Sequence, residues 1–167
     1  NWQHSNSTNR LYFTNGQQYD GVSIDGIRYY DQSFSTTATV LFTPVLGGTR
    51  ILYGSRLIFA IKQRLLVLNT FEHDTGTGTT SNFPQRARWC QAQAPGNWDD
   101  TIPGGGGFVD APTGQQIISA RALQDTIIVF FTDSVWMIRP VPDPALPFRW
   151  DKINDFRACD GKMATVQ

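Results

Sequence analysis

Arg56-Leu-Ile-Phe-Ala-Ile61, then Lys62-Gln63, then Arg64-Leu-Leu-Val-Leu-Asn69 is the stretch that decides the fold. Two apolar runs flank a two-residue polar break, which is the pattern of a β-hairpin. Thr126-Ile-Ile-Val-Phe-Phe131, Thr132-Asp133 and Ser134-Val-Trp-Met-Ile-Arg139 repeat it. The runs are short and rich in β-branched and aromatic residues, so strand is preferred over buried helix. Their near-continuous apolarity predicts hairpins covered on both faces.

The two hairpins align without a gap at an offset of 70, Leu57 on Ile127, Phe59 on Val129, Ile61 on Phe131, Leu65 on Val135 and Leu68 on Ile138. A weaker copy lies upstream, where Arg10-Leu-Tyr-Phe13 matches Arg56-Leu-Ile-Phe59 at an offset of 46. The shorter spacing suits a β-propeller blade of about 40–50 residues. The longer one carries an excess of 24, for which Gly/Thr- and Gly/Pro-rich insertions at 75–82 and 94–113 account. Further strands are predicted at 49–53, 86–90, 116–120 and 148–153, with another opening at 162–166 after Asp160-Gly161. Approximate blade cores are therefore 10–53, 56–120 and 121–167. Closed propellers have about four to eight blades. The 167-residue chain, which opens on Asn1 instead of Met, thus reads as an incomplete propeller, a fragment of a larger ring.

Composition agrees with an all-β class. The chain has three Lys (Lys62, Lys152, Lys162) and one Glu (Glu72) against eleven Arg and thirteen Asp. Surface helices draw on Lys, Glu, Gln and Ala, and here the first two are nearly missing. Fifteen Gly and nine Pro supply turns instead. Zero net charge opposes tight nucleic-acid binding, which needs clustered cations. No apolar run reaches the ~20 residues of a membrane-spanning helix, and no segment reads as a signal peptide.

Candidate reactive groups have weak contexts. His4 and His73 lie in polar or Gly-flanked segments without a neighbouring nucleophile motif. Gly104-Gly-Gly-Gly107 lacks the following Lys and Ser/Thr of a phosphate cradle and reads as a flexible loop tip. Asp20, Asp25, Asp31, Asp99 and Asp100 stand in turn-like sequence, where Asp bonds nearby amides. Ser23-Ile-Asp25-Gly26 falls short of the sialidase Asp-box, with Gly one place early and no Trp. Cys90 and Cys159 read as two ordinary thiols, with a single disulfide left open. Arg86, Arg88, Trp89, Trp98, Phe148, Arg149 and Trp150 place arginines among aromatics, a pattern of protein interfaces that sugar sites share. Trp136 reads as core, while Trp98 is either a loop anchor or a contact residue. No catalytic, cofactor or metal residue is assigned.

Phe83-Pro-Gln-Arg-Ala-Arg-Trp-Cys90, followed by Pro95-Gly-Asn-Trp98, resembles a strand and turn of tailed-phage structural proteins. Cys90 stands where that pattern has Ser. The run from Ile117 to Ile138, then Phe156-Arg-Ala-Cys-Asp-Gly-Lys162 and Met163-Ala-Thr-Val166, is similar to later segments of the same proteins. These are the β-propeller tail hub, or tail accessory, proteins of short-tailed bacteriophages, and the resemblance covers residues 50–167. It implies a virion structural protein in the phage tail, without enzymatic activity or cofactor. It also implies a sixfold ring of identical copies in contact with portal or adaptor and distal tail proteins. An extracellular carbohydrate-binding or glycan-degrading propeller is the alternative expectation.

Overall fold

The computed structural model describes residues 3–7, 10–17, 26–31 and 39–155. The strand expected at 162–166, Cys159, Asp20 and Asp25 lie outside the described residues. The described chain is all-β, built from three antiparallel sheets in sequence order. The first sheet contains β1 (Gln3–Ser7), β2 (Arg10–Thr14), β3 (Ile27–Asp31) and β4 (Val40–Phe42). The second contains β5 (Val45–Gly47), β6 (Arg50–Ile61), β7 (Arg64–Asp74), β8 (Thr79–Trp89) and β9 (Gly107–Asp110). The third contains β10 (Ile117–Leu123), β11 (Thr126–Phe131), β12 (Val135–Pro140) and β13 (Phe148–Asn154). Every sheet is a meander in which chain neighbours pair.

The hairpin repeat is reproduced residue by residue. Leu57 pairs with Leu68 across β6–β7, and Ile127 pairs with Ile138 across β11–β12. Phe59 opposite Leu66 likewise matches Val129 opposite Trp136. The upstream copy falls on β2, which is also the second strand of its sheet. Only the turns differ. Lys62 and Gln63 both take positive φ (47° and 61°), the backbone of a type I′ turn that follows strand twist.

Two apolar cores follow from strand alternation. Leu57, Leu66, Leu68 and Trp89 of the second sheet share one with Ile127, Val129, Trp136 and Ile138 of the third. Ile58, Leu65, Val67 and Trp98 share the other with Tyr12 and Ile27 of the first sheet. Each fully buried Leu, Ile or Val contributes roughly 1.5–3 kcal/mol. Leu57, Ile61, Leu66 and Leu68 thus enter the same core as Ile127, Phe131, Trp136 and Ile138, their equivalents at the 70-residue offset, and Tyr12 shares a core with Ile58, its equivalent at 46. Like faces meet, whereas successive propeller blades stack through opposite faces. Among the described residues, no propeller forms.

Unit boundaries also fall elsewhere than at the expected blade cores 10–53, 56–120 and 121–167. The break between 53 and 56 lies inside β6, which runs unbroken for 12 residues past Gly54 and Ser55. A register shift between Leu52 and Gly54 absorbs Tyr53 as a bulge, so the small residues mark a bend instead of an end. The strand expected at 116–120 opens the third sheet as β10 and does not close the second. The 75–82 insertion resolves into the Asp74–Thr79 turn and the start of β8. The 94–113 insertion contains β9, a fifth strand added to the second sheet.

Candidate functional site

The most developed polar arrangement lies on the second sheet, where β8 alternation puts Arg86 and Arg88 on one face. Asp110 of β9 sits directly opposite Arg86, and Phe108 opposite Arg88. Between Leu68 and Thr70 the β7–β8 pairing shifts register, with Asn69 at φ 56°. Beyond that bulge Glu72, 6% exposed, faces the same two arginines.

Every charge in this cluster is partnered. Arg88, wholly buried, donates from Nε and Nη2 to the two Glu72 carboxylate oxygens at 3.0 and 3.1 Å. Its Nη1 donates to Asp100 Oδ2 at 3.0 Å, and Asp100 Oδ1 also accepts from Arg50 Nη2 at 2.5 Å. Arg86 grips Asp110 through two parallel bonds of 2.8 and 2.9 Å and donates to Glu72 at 3.2 Å. Its guanidinium is also sandwiched between the rings of Phe83 and Phe108, 3.6 and 3.9 Å from their centroids. Burial works against that cation, yet the Asp110 hydrogen bond and the charges of Glu72 and Asp110 prevail and hold its pKa above the usual value. Thr70 Oγ1 completes Glu72's shell at 3.1 Å.

A cleft of ≈480 Å³ opens beside this cluster, walled by Arg50, Glu72, His73, Phe83, Arg86 and Phe108. His73 is stacked on Tyr53 at 4.4 Å, its Nδ1 2.8 Å from Thr80 Oγ1. With opposite charges paired to one another, the cluster's bonds are spent within the fold. They tie the 91–106 loop, through Asp100, to β6, β7 and β8.

That loop is no projection. Trp98 is fully buried, packs edge-on to Phe42 of β4 at 6.2 Å and donates its Nε1 proton to Pro95 O at 2.7 Å. It is a loop anchor. In the glycine run expected as a flexible tip, Gly104 is exposed, whereas Gly105, Gly106 and Gly107 are closely packed. A Cβ on Gly107 would come within 2.7 Å of the Trp89 ring, and one on Gly106 within 2.3 Å of the Trp98 backbone.

The remaining candidates separate. Trp89, Trp136, Phe148 and Trp150 are core residues, none above 9% exposed. Arg149 alone of the arginine–aromatic set lies outside, paired with Asp151 at 3.1 Å. Asp31 is bound by Arg10 at 2.8 Å. Asp99 caps its own turn, and the Thr101 hydroxyl and amide hold its carboxyl below the ordinary range. A general acid requires the opposite shift. Burial pushes the Cys90 thiol up to about 11, against the Leu65 amide that donates to its sulfur at 3.0 Å. His4 lies in β1, apart in sequence from His73. Among the described residues no three His, Cys, Asp or Glu side chains gather as a metal site.

Sequence reasoning singled out Arg86 and Arg88 but missed Glu72 and Asp110. The signal for Glu72 was its being the single Glu of the chain. No protein-family model matches this chain, and no curated protein matches its sequence.

Proposed function

We propose that this protein is a virion structural component of a phage tail, a tail hub or head-to-tail connector element that assembles with copies of itself into a ring. The observation that carries the reading is where its chemistry is spent. The four described tryptophans are buried, and Arg86, Arg88, Glu72 and Asp110 satisfy one another. The outward positions of β11 and β12, Ile128, Phe130, Val135 and Met137, are apolar and partly exposed among charged neighbours, which suits assembly better than turnover. The sequence resemblance over residues 50–167 supplies the phage-tail assignment, the sixfold ring, and portal, adaptor and distal tail proteins as partners. The glycan-binding alternative would need exposed Trp and a carboxylic acid with a raised pKa, and the residues described above favour neither.

Native mass spectrometry and electron microscopy of the protein mixed with a phage portal complex test this. The expected result is a closed ring of identical copies attached to the portal. A protein that ignores portal complexes and binds glycans on an array overturns it.

A further inference from the structure

We infer that Asn15 is a self-modification site, at which Gly16 N converts the side-chain amide to a carboxylate and Arg56 receives the new charge. The inference rests on residues outside the ion cluster and goes beyond the virion reading.

Asn15-Gly16 is the one Asn-Gly pair of the chain. It follows β2, where Gly16 takes φ 79° and, having no Cβ, leaves its nitrogen unshielded. The Gln17 amide donates to Asn15 Oδ1 at 3.0 Å. That bond turns the side chain along its own backbone and draws electrons from Cγ, the carbon to be attacked. Gly16 N donates to Thr14 Oγ1 at 3.2 Å, the long end of such bonds and readily surrendered. Asn15 is half-buried and Gln17 exposed, so water reaches the segment.

The reaction needs no reagent but water. Gly16 N bonds to Asn15 Cγ, the Cγ–Nδ2 bond breaks, and ammonia leaves with the proton from Gly16 N. Water then opens the cyclic imide at either carbonyl. Cleavage at Cγ leaves an aspartate at position 15, and cleavage at the main-chain carbonyl leaves its isomer, with the backbone routed through Cγ. A carboxylate results either way, and nothing is oxidised or reduced.

The surroundings suit the product better than the amide. Asn15, Gly16, Gln17 and Arg56 line one small cavity of ≈200 Å³. Thr14 Oγ1 holds the segment against β6 by donating to Ser55 O at 2.5 Å, one residue from Arg56. Among the described residues, Arg56 is the one arginine without a hydrogen bond or ion pair. A half-buried cation among neutral groups gains from a carboxylate beside it. Conversion of Asn15 supplies one, and ties the β2–β3 connection of the first sheet to β6 of the second.

Mass spectrometry of purified protein, warmed for days at mildly alkaline pH, reads the conversion. A gain of about 1 Da is expected, mapped to position 15 by peptide digestion, and Asn15→Gln should abolish it. A protein that stays folded and unmodified while a synthetic Leu11–Gln17 peptide converts overturns the site. The receiving role is read on Asn15→Asp, by NMR titration of the carboxylate at position 15. Its midpoint should lie about 1 pH unit below that of an ordinary Asp, and return to the ordinary value when Arg56→Gln is added. Circular dichroism reports whether each variant folds, and aged wild-type protein, which carries the same carboxylate, gives the titration without a substitution at position 15. A midpoint indifferent to Arg56→Gln overturns Arg56 as the receiver. Neither reading involves a portal or a ring, so a failed tail assignment and a failed modification site remain distinguishable.

Discussion

The second and third sheets share a hairpin repeat, a register and an inward face, yet they treat their outward faces in opposite ways. In the second, residues equivalent to Ile128, Val135 and Met137 are sealed by the first sheet and the 91–106 loop, with a buried ion network behind them. In the third, Ile128, Val135 and Met137 stay partly exposed. The difference is concentrated in what the second sheet adds to the repeat, the long arms of β6–β8, the returning loop and β9. An insertion in such a repeat need not project. Here it folds back and supplies the Asp100 and Asp110 carboxylates that allow Arg86 and Arg88 to be buried.

The largest effect should come from removing the carboxylate that holds this addition in place. Glu72→Ala leaves Arg88 buried with Asp100 as its sole remaining carboxylate in the cluster, and breaks the tie between β7 and β8. Losing one partner of a buried ion pair costs about 3–5 kcal/mol. The loss should appear as a lower urea midpoint, with the 91–106 loop exchanging its amides fastest. A drop below about 1 kcal/mol, the size of an exposed pair, would mean that the network is solvated and that the contrast between the sheets is superficial.

The shared inward face predicts a matched pair of smaller losses. Leu57 and Ile127 are both fully buried, both in the same core, and both opposite their equivalent partners Leu68 and Ile138. Truncation of either to Ala should cost about 2–5 kcal/mol, with the two values close to each other. Urea melts of both variants check this. A large loss at one and almost none at the other would break the structural equivalence on which the repeat rests.

How much was legible in the sequence follows the same division. The hairpins at 56–69 and 126–139 and their 70-residue register could be read because strand period and turn residues are local signals. The all-β class was readable from the shortage of Lys and Glu. The continuity of β6 past Gly54 was not, because a bulge and a strand end use the same small residues. Trp98 could not be placed, since Pro95-Gly-Asn-Trp98 looks alike whether the loop folds back or projects. The ion cluster was half visible. Arg86 and Arg88 stood out beside aromatics, but their acids come from β7, β9 and the loop, brought together by sheet pairing that spacing does not reveal. How the sheets pack is likewise non-local, and the propeller expectation failed to anticipate that like faces would meet.

The two turns give the finest contrast, and glycine separates them by sign. Gln63 holds φ at 61° in the second sheet's turn, where an L residue is strained by about 1–2 kcal/mol and glycine is not. Against that gain stand the exposed bond that Gln63 Oε1 accepts from Gln93 at 2.8 Å and the entropy that glycine loses on folding. Gln63→Gly should therefore stabilise by about 0.5 kcal/mol. In the third sheet neither Thr132 nor Asp133 has a positive φ, so glycine relieves nothing there and contributes only its flexibility in the unfolded chain. Asp133→Gly should cost about 0.5–1 kcal/mol. Paired urea melts with a shared baseline resolve changes of this size. Opposite signs mean that the repeat fixes strand register while leaving turn geometry to local residues. Equal signs would show that the two turns differ less than their backbone angles say.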